Sequence, residues 1–104
     1  GNIQMSSVAG GGNILGLNAG TTGTISVTGL TDNVSTLTIT NSNGATFGDL
    51  GTGTAGAVTI TDTEDGATVS FGGTTNITTL TTTANGYNVS FGGNTTVTND
   101  ASFL

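Results

Sequence analysis

Apolar and polar positions alternate along most of this chain, and the alternation recurs in blocks. Ile25-Ser-Val-Thr28, Leu37-Thr-Ile-Thr40, Val58-Thr-Ile-Thr61 and Leu80-Thr-Thr-Thr83 each place an apolar residue first and threonine fourth. In an extended chain, successive side chains point to opposite faces. Leu37, Ile39, Val58, Ile60 and Leu80 are therefore expected on an inner face. Thr38, Thr40, Thr59, Thr61, Thr81 and Thr83 are expected on the outer one. β-Branched residues at these positions favour strand over helix, and no window has the three-to-four spacing of an amphipathic helix. A second strand family follows glycine turns, at Ala45–Phe47, Ala67–Phe71 and Tyr87–Phe91. A third, weaker family lies around Asn76-Ile-Thr78 and Thr96-Val-Thr98.

The blocks repeat at a nearly constant interval. Val-Ser-Phe-Gly-Gly occurs at Val69–Gly73 and again at Val89–Gly93. Asn43-Gly-Ala-Thr-Phe47 matches Asp65-Gly-Ala-Thr-Val69, which places the turn glycines at Gly44, Gly66 and Gly86. Self-similarity at such a period marks a repeat architecture. Asn43-Gly44 and Asn85-Gly86 are also hairpin signals, so an antiparallel meander is the competing arrangement. A hairpin fold has no need for strand types that return in a fixed order. The sequence predicts an all-β fold, a parallel β-helix (β-solenoid) with three short strands per coil and coils of roughly 20–22 residues. Val69 and Val89 should then be neighbours across adjacent strands, and Phe71 should stack on Phe91 inside the core. Residues 25–104 are expected to form the coils. Residues 1–24 are expected to be an irregular glycine-rich segment, whether a distorted first coil, a cap or an assembly element, because Gly10-Gly-Gly12 interrupts the pattern.

Composition agrees with a narrow fold and excludes several functions. Leu, Ile, Val and Phe total 24 of 104 residues, too few for a wide globular core but enough for a thin stack. The chain contains no Lys, Arg, His, Cys, Pro or Trp, and its net charge is −6. Without cations it has nothing to neutralise phosphates, so no nucleic-acid partner and no attraction to anionic lipid is expected. No apolar run is long enough to insert in a membrane. Without His and Cys, most zinc and catalytic-triad chemistry is absent, and no enzyme activity is expected. Thr, Asn and Gly richness without basic residues suits an extracellular location. A chain that opens on Gly1 is expected to be a processed product or a piece of something longer.

Asp62, Glu64 and Asp65 form the one dense acidic group and are a candidate Ca²⁺ site, since calcium takes oxygen ligands. Their spacing fits neither an EF-hand loop nor the nonapeptide of calcium-binding β-rolls, so a solvated turn and no cofactor are preferred. The stretch from about Leu37 to Leu104 resembles the repeat regions of bacterial filamentous-haemagglutinin-like and autotransporter-passenger surface proteins. The likeness is carried by the Thr-rich strands, by Ala84-Asn-Gly-Tyr-Asn-Val-Ser-Phe91 and by Val97-Thr-Asn-Asp-Ala-Ser-Phe103. It implies a right-handed parallel β-helix on or outside the cell, serving as stalk, adhesin or matrix fibre, without catalytic residues in the shaft. The leading expectation is an extracellular structural or adhesive element. With no Lys or Pro to protect its sheet ends, and with the apolar Ser102-Phe-Leu104 terminus, it should associate end to end or continue in a longer chain. The rival expectation is ice binding, because the threonine columns would form an array resembling the ice-binding faces of solenoid antifreeze proteins.

Overall fold

A computed structural model describes residues 1–51 and 56–102 of the protein. The expected Phe103 and Leu104 extension lies outside the described residues. Ten strands form two five-stranded parallel sheets, and no helix occurs among the described residues. One sheet holds β1 (Ile3–Met5), β3 (Ile25–Val27), β5 (Ala45–Phe47), β7 (Thr68–Phe71) and β9 (Asn88–Phe91), in that spatial order. The other holds β2 (Val8–Asn18), β4 (Thr31–Asn41), β6 (Ala57–Ile60), β8 (Thr75–Thr82) and β10 (Thr95–Ser102). Consecutive strands lie in different sheets, so each coil contributes one strand to each, as a parallel β-solenoid requires. The Asn85-Gly86 corner joins β8 to β9 in the opposite sheet instead of closing a hairpin.

The register carries the repeat. Ile3 pairs with Ile25, Ile25 with Ala45, Ala45 with Val69, and Val69 with Val89, in steps of 22, 20, 24 and 20 residues. The expected neighbours Val69 and Val89 are paired, and Val58 pairs with Leu80 and Ile77 with Val97 in the other sheet. The 24-residue step exceeds the expected coil length. It falls in the coil that contains residues 52–55, which lie outside the described set.

Of the readings open for residues 1–24, the structure has the distorted first coil: β1 and β2 pair in parallel with β3 and β4, with register shifts along β2. Two expectations are corrected. Ile25–Val27 belongs with the strands of Phe47 and Phe71, not with that of Leu37. The third strand family is not separate, because Ile77 and Leu80 lie on one continuous strand, β8. The longer strands β2 and β4 turn a corner part-way along. Gly11 and Gly12 have positive φ in β2, and Asn33 has φ 53° in β4. Register shifts between Ala9 and Asn13 at the same place, so the bend is made inside the ladder.

Inward positions stack in columns. Leu15, Leu37, Val58 and Leu80 form one column, and Leu17, Ile39, Ile60 and Thr82 another. Val27, Phe47, Phe71 and Phe91 form a third. Phe71 stacks on Phe47 at 5.4 Å between ring centroids and on Phe91 at 5.3 Å, with interplanar angles of 17° and 14°. Val69 and Phe71 are buried as expected, but Val89 and Phe91 are only half-buried. They occupy the last strand of their sheet, with no described strand beyond it to cover them.

The corners that follow the threonine strands are held by side-chain oxygens. Asn41 Oδ1 accepts from Ser42 N–H, and Asp62 Oδ1 accepts from Thr63 N–H one coil on, both at 2.9 Å. The buried hydroxyls of Ser42 and Thr63 meet at 3.2 Å. In the next coil the corner is spanned by Tyr87. Its hydroxyl accepts from Thr83 N–H at 2.9 Å and donates to the Ile60 carbonyl at 3.2 Å, tying two coils together. Tyr87→Phe should therefore lower stability by about 1–3 kcal/mol, because it leaves a half-buried amide and carbonyl unpaired. Urea unfolding checks this, and an unchanged midpoint would show that water replaces the hydroxyl without loss.

Candidate functional surfaces

Two surfaces emerge from the stacking: an outer threonine face and the exposed end of the column. The threonine face lies on β4, β6 and β8. Thr38 pairs with Thr59 and Thr59 with Thr81. The ladder continues one position further, where Thr61 N–H donates to the Ile39 carbonyl at 2.8 Å and places Thr61 beside Thr40. Thr83 follows in the same column, with its hydroxyl donating to the Thr61 carbonyl. All six threonines of the sequence pattern thus share one face in two columns, while Leu37, Ile39, Val58, Ile60 and Leu80 point inward and are buried.

Sequence reading missed a third column beside these two. Thr36 pairs with Ala57, and Ala57 with Thr79. The signal was present as threonine two residues before each recognised pair, at Thr36 and Thr79. Ala57 breaks the column, and a strand read as starting at its apolar residue leaves Thr36 and Thr79 outside it. No register shift interrupts the β4–β6–β8 ladder across this face. Shifts occur only beyond it, between β2 and β4 and between β8 and β10. Across Thr36–Thr40, Ala57–Thr61 and Thr79–Thr83 this face carries no charged residue, and on β10 the third column continues to Asp100, which pairs with Thr79.

The second surface is the end of the stack at β9 and β10. Val69 and Phe71 are 0% and 1% exposed, whereas Val89 and Phe91, one rung on, are half-exposed. Val97 is half-exposed above Ile77, which is 2% exposed. At the opposite end, Ile3, Met5, Val8 and Leu15 of the first coil are half-buried against the core. Ile3 and Met5 begin the columns that end at Val89 and Phe91.

No known protein-family model matches the chain, and no curated protein or solved structure is significantly similar to it.

The acidic residues do not assemble into a centre. Asp62 commits Oδ1 to Thr63 N–H, Glu64 lies in the turn whose N–H bonds the Ser42 carbonyl, and Asp65 is exposed near Gly86. Among the described residues no group of three or more carboxylates gathers to hold a metal ion.

Proposed function

We propose that this chain is a shaft segment of an extracellular, cell-surface β-solenoid, a structural and adhesive element that lengthens by stacking coil on coil. The observation that carries the reading is the uncovered rung: Val89, Phe91 and Val97 are half-exposed where Val69, Phe71 and Ile77 are sealed. Burying apolar surface is favourable by about 25 cal/mol per Å², so a further coil on this rung is stabilised by the same columns that hold the rest together. The edge strands also leave backbone groups open, and the chain has no Lys or Pro with which to protect them. The described molecule measures 32 × 28 × 23 Å, a block and not a rod. In this architecture, reach comes only from added coils. Those coils come from a longer chain or from a second copy joined head to tail, a heterologous contact that does not close.

For the 104-residue chain we expect a ladder of end-to-end oligomers. Sedimentation velocity should show mass rising with concentration, and negative-stain microscopy should show strings one solenoid wide. Val89→Lys, a charge on the inward side of the terminal strand, should return the protein to monomer while leaving its circular dichroism intact. A wild-type chain that stays monomeric at high concentration overturns the homopolymer form of this reading.

The register of the threonine columns favours a second reading, ice binding. Thr38, Thr59 and Thr81 stand directly opposite one another, as a regular array demands. Thermal hysteresis measured on the purified chain tests it, and its absence ends it.

A further inference from the structure

The third column changes what the threonine face can do. Two columns make a line of paired groups, whereas three make a patch that repeats in two directions. Neighbouring strands lie about 4.8 Å apart, and residues i and i+2 along a strand lie about 6.6 Å apart. The grid is rigid because the ladder beneath it is unbroken from β4 to β8. Threonine is stiff at χ1, so each methyl and hydroxyl is held with little further loss of freedom on contact. Among the described residues, the hydroxyls of Thr36, Thr59 and Thr79 make no hydrogen bond within the chain, while that of Thr83 is bound to the Thr61 carbonyl.

We propose that the Thr36–Ala57–Thr79 column is a working part of an ice-contact surface, with Ala57 its one vacancy. This rests on the ice reading above. A crystal face of ice offers water oxygens at fixed positions and cannot rearrange to suit a partner. The partner must therefore bring hydroxyls and methyls on a fixed grid, and it must bring no charge, since an ion holds its own hydration shell. The ~4.8 Å strand repeat lies close to the separation of second-neighbour oxygens in ice. The uncharged, in-register patch meets each of these demands. None of the six acidic residues falls within Thr36–Thr40, Ala57–Thr61 or Thr79–Thr83; along the third column the next rung is Asp100, paired with Thr79 on β10, and the uncharged patch ends there.

The test is thermal hysteresis and ice-crystal shape for the wild-type chain and four variants, each first checked for unchanged circular dichroism. Wild type should hold a growth gap and facet the crystal. Thr59→Tyr, a bulky ring at the centre, should abolish the gap. Thr36→Tyr and Thr79→Tyr should each reduce it severalfold, and Ala57→Thr should widen it. An active wild type with Thr36→Tyr and Thr79→Tyr unaffected would overturn the third column and leave the two-column ice reading standing. An inactive wild type would overturn both. Association of copies that Thr59→Tyr blocks, with no effect on ice, would assign the face to a second copy of this chain and overturn the proposal.

Discussion

Replacing Ile60 by Asp is expected to leave the protein unfolded at pH 7 and to let the fold return progressively as the pH is lowered. Ile60 is 0% exposed and sits between Ile39 and Thr82 in a sealed column. A carboxylate there would be desolvated with nothing to pair with, because the chain has no Lys, Arg or His. Full burial raises a carboxyl pKa by up to about 3–5 units. At about 1.36 kcal/mol per unit, the charged form is disfavoured by about 4–7 kcal/mol. The loss of the Ile contacts adds to this, and the total rivals the whole stability of a small domain, about 5–15 kcal/mol. The folded-state pKa is raised, so the electrostatic part of the damage is absent below the unfolded value of about 3.9. It grows as the pH rises toward the raised folded value. Far-UV circular dichroism across pH checks this, with Ile60→Asn as the control that should show no such recovery. A variant that remains folded at pH 7 with an unchanged melting temperature would place Ile60 outside a dry interior.

Phe71→Ala is expected to lower stability by about 3–5 kcal/mol, the range for deleting a buried aromatic. Phe71 is the middle ring of three and touches a ring on each side. Its deletion therefore breaks two stacks and opens a cavity that the parallel ladders cannot collapse around. Phe91→Ala breaks only one stack at a half-exposed site, and about 1–2 kcal/mol is expected for an isolated molecule. The pair also reports on assembly. If a second copy covers the last rung, Phe91 becomes an inner ring and its replacement should approach the cost seen at Phe71. Urea unfolding at low and high protein concentration distinguishes the cases. Equal costs for the two residues in dilute solution would contradict the burial described above.

The columns were legible because like residues recur at like positions. Val69 and Val89 sit in identical pentads, and Leu37, Val58 and Leu80 each precede threonine, so one period placed them all. What failed to show has local causes. Ile25-Ser-Val-Thr28 alternates in the same way whichever sheet it joins, and alternation alone carries no label for the sheet. The first coil was hidden by Gly10, Gly11 and Gly12. Those glycines read as a break, yet two of them supply the positive φ that lets β2 turn its corner without leaving the ladder. The third strand of each coil looked separate because Thr78 and Thr79 interrupt the apolar spacing between Ile77 and Leu80. The half-exposure of Phe91 could not be read from its motif, since that motif is identical to the buried one at Phe71. Only its place in the stack distinguishes it.

The coil-to-coil register also sets how the molecule comes to fold. Nearly every stabilising contact joins residues 20–24 positions apart, about a fifth of the chain length. Chains with that relative contact order fold in about milliseconds to seconds, far slower than helical bundles. Closing the first loop of about 20 residues costs on the order of 3 kcal/mol in chain entropy before any column is complete. Once two coils have met, each later coil lands on a finished template and fills a column already aligned. Nucleation is therefore the slow event and growth the fast one. On a ribosome, which delivers a chain from its N-terminal side, each coil of this stretch would land on the one already made, and the stack would be laid down in the order of synthesis.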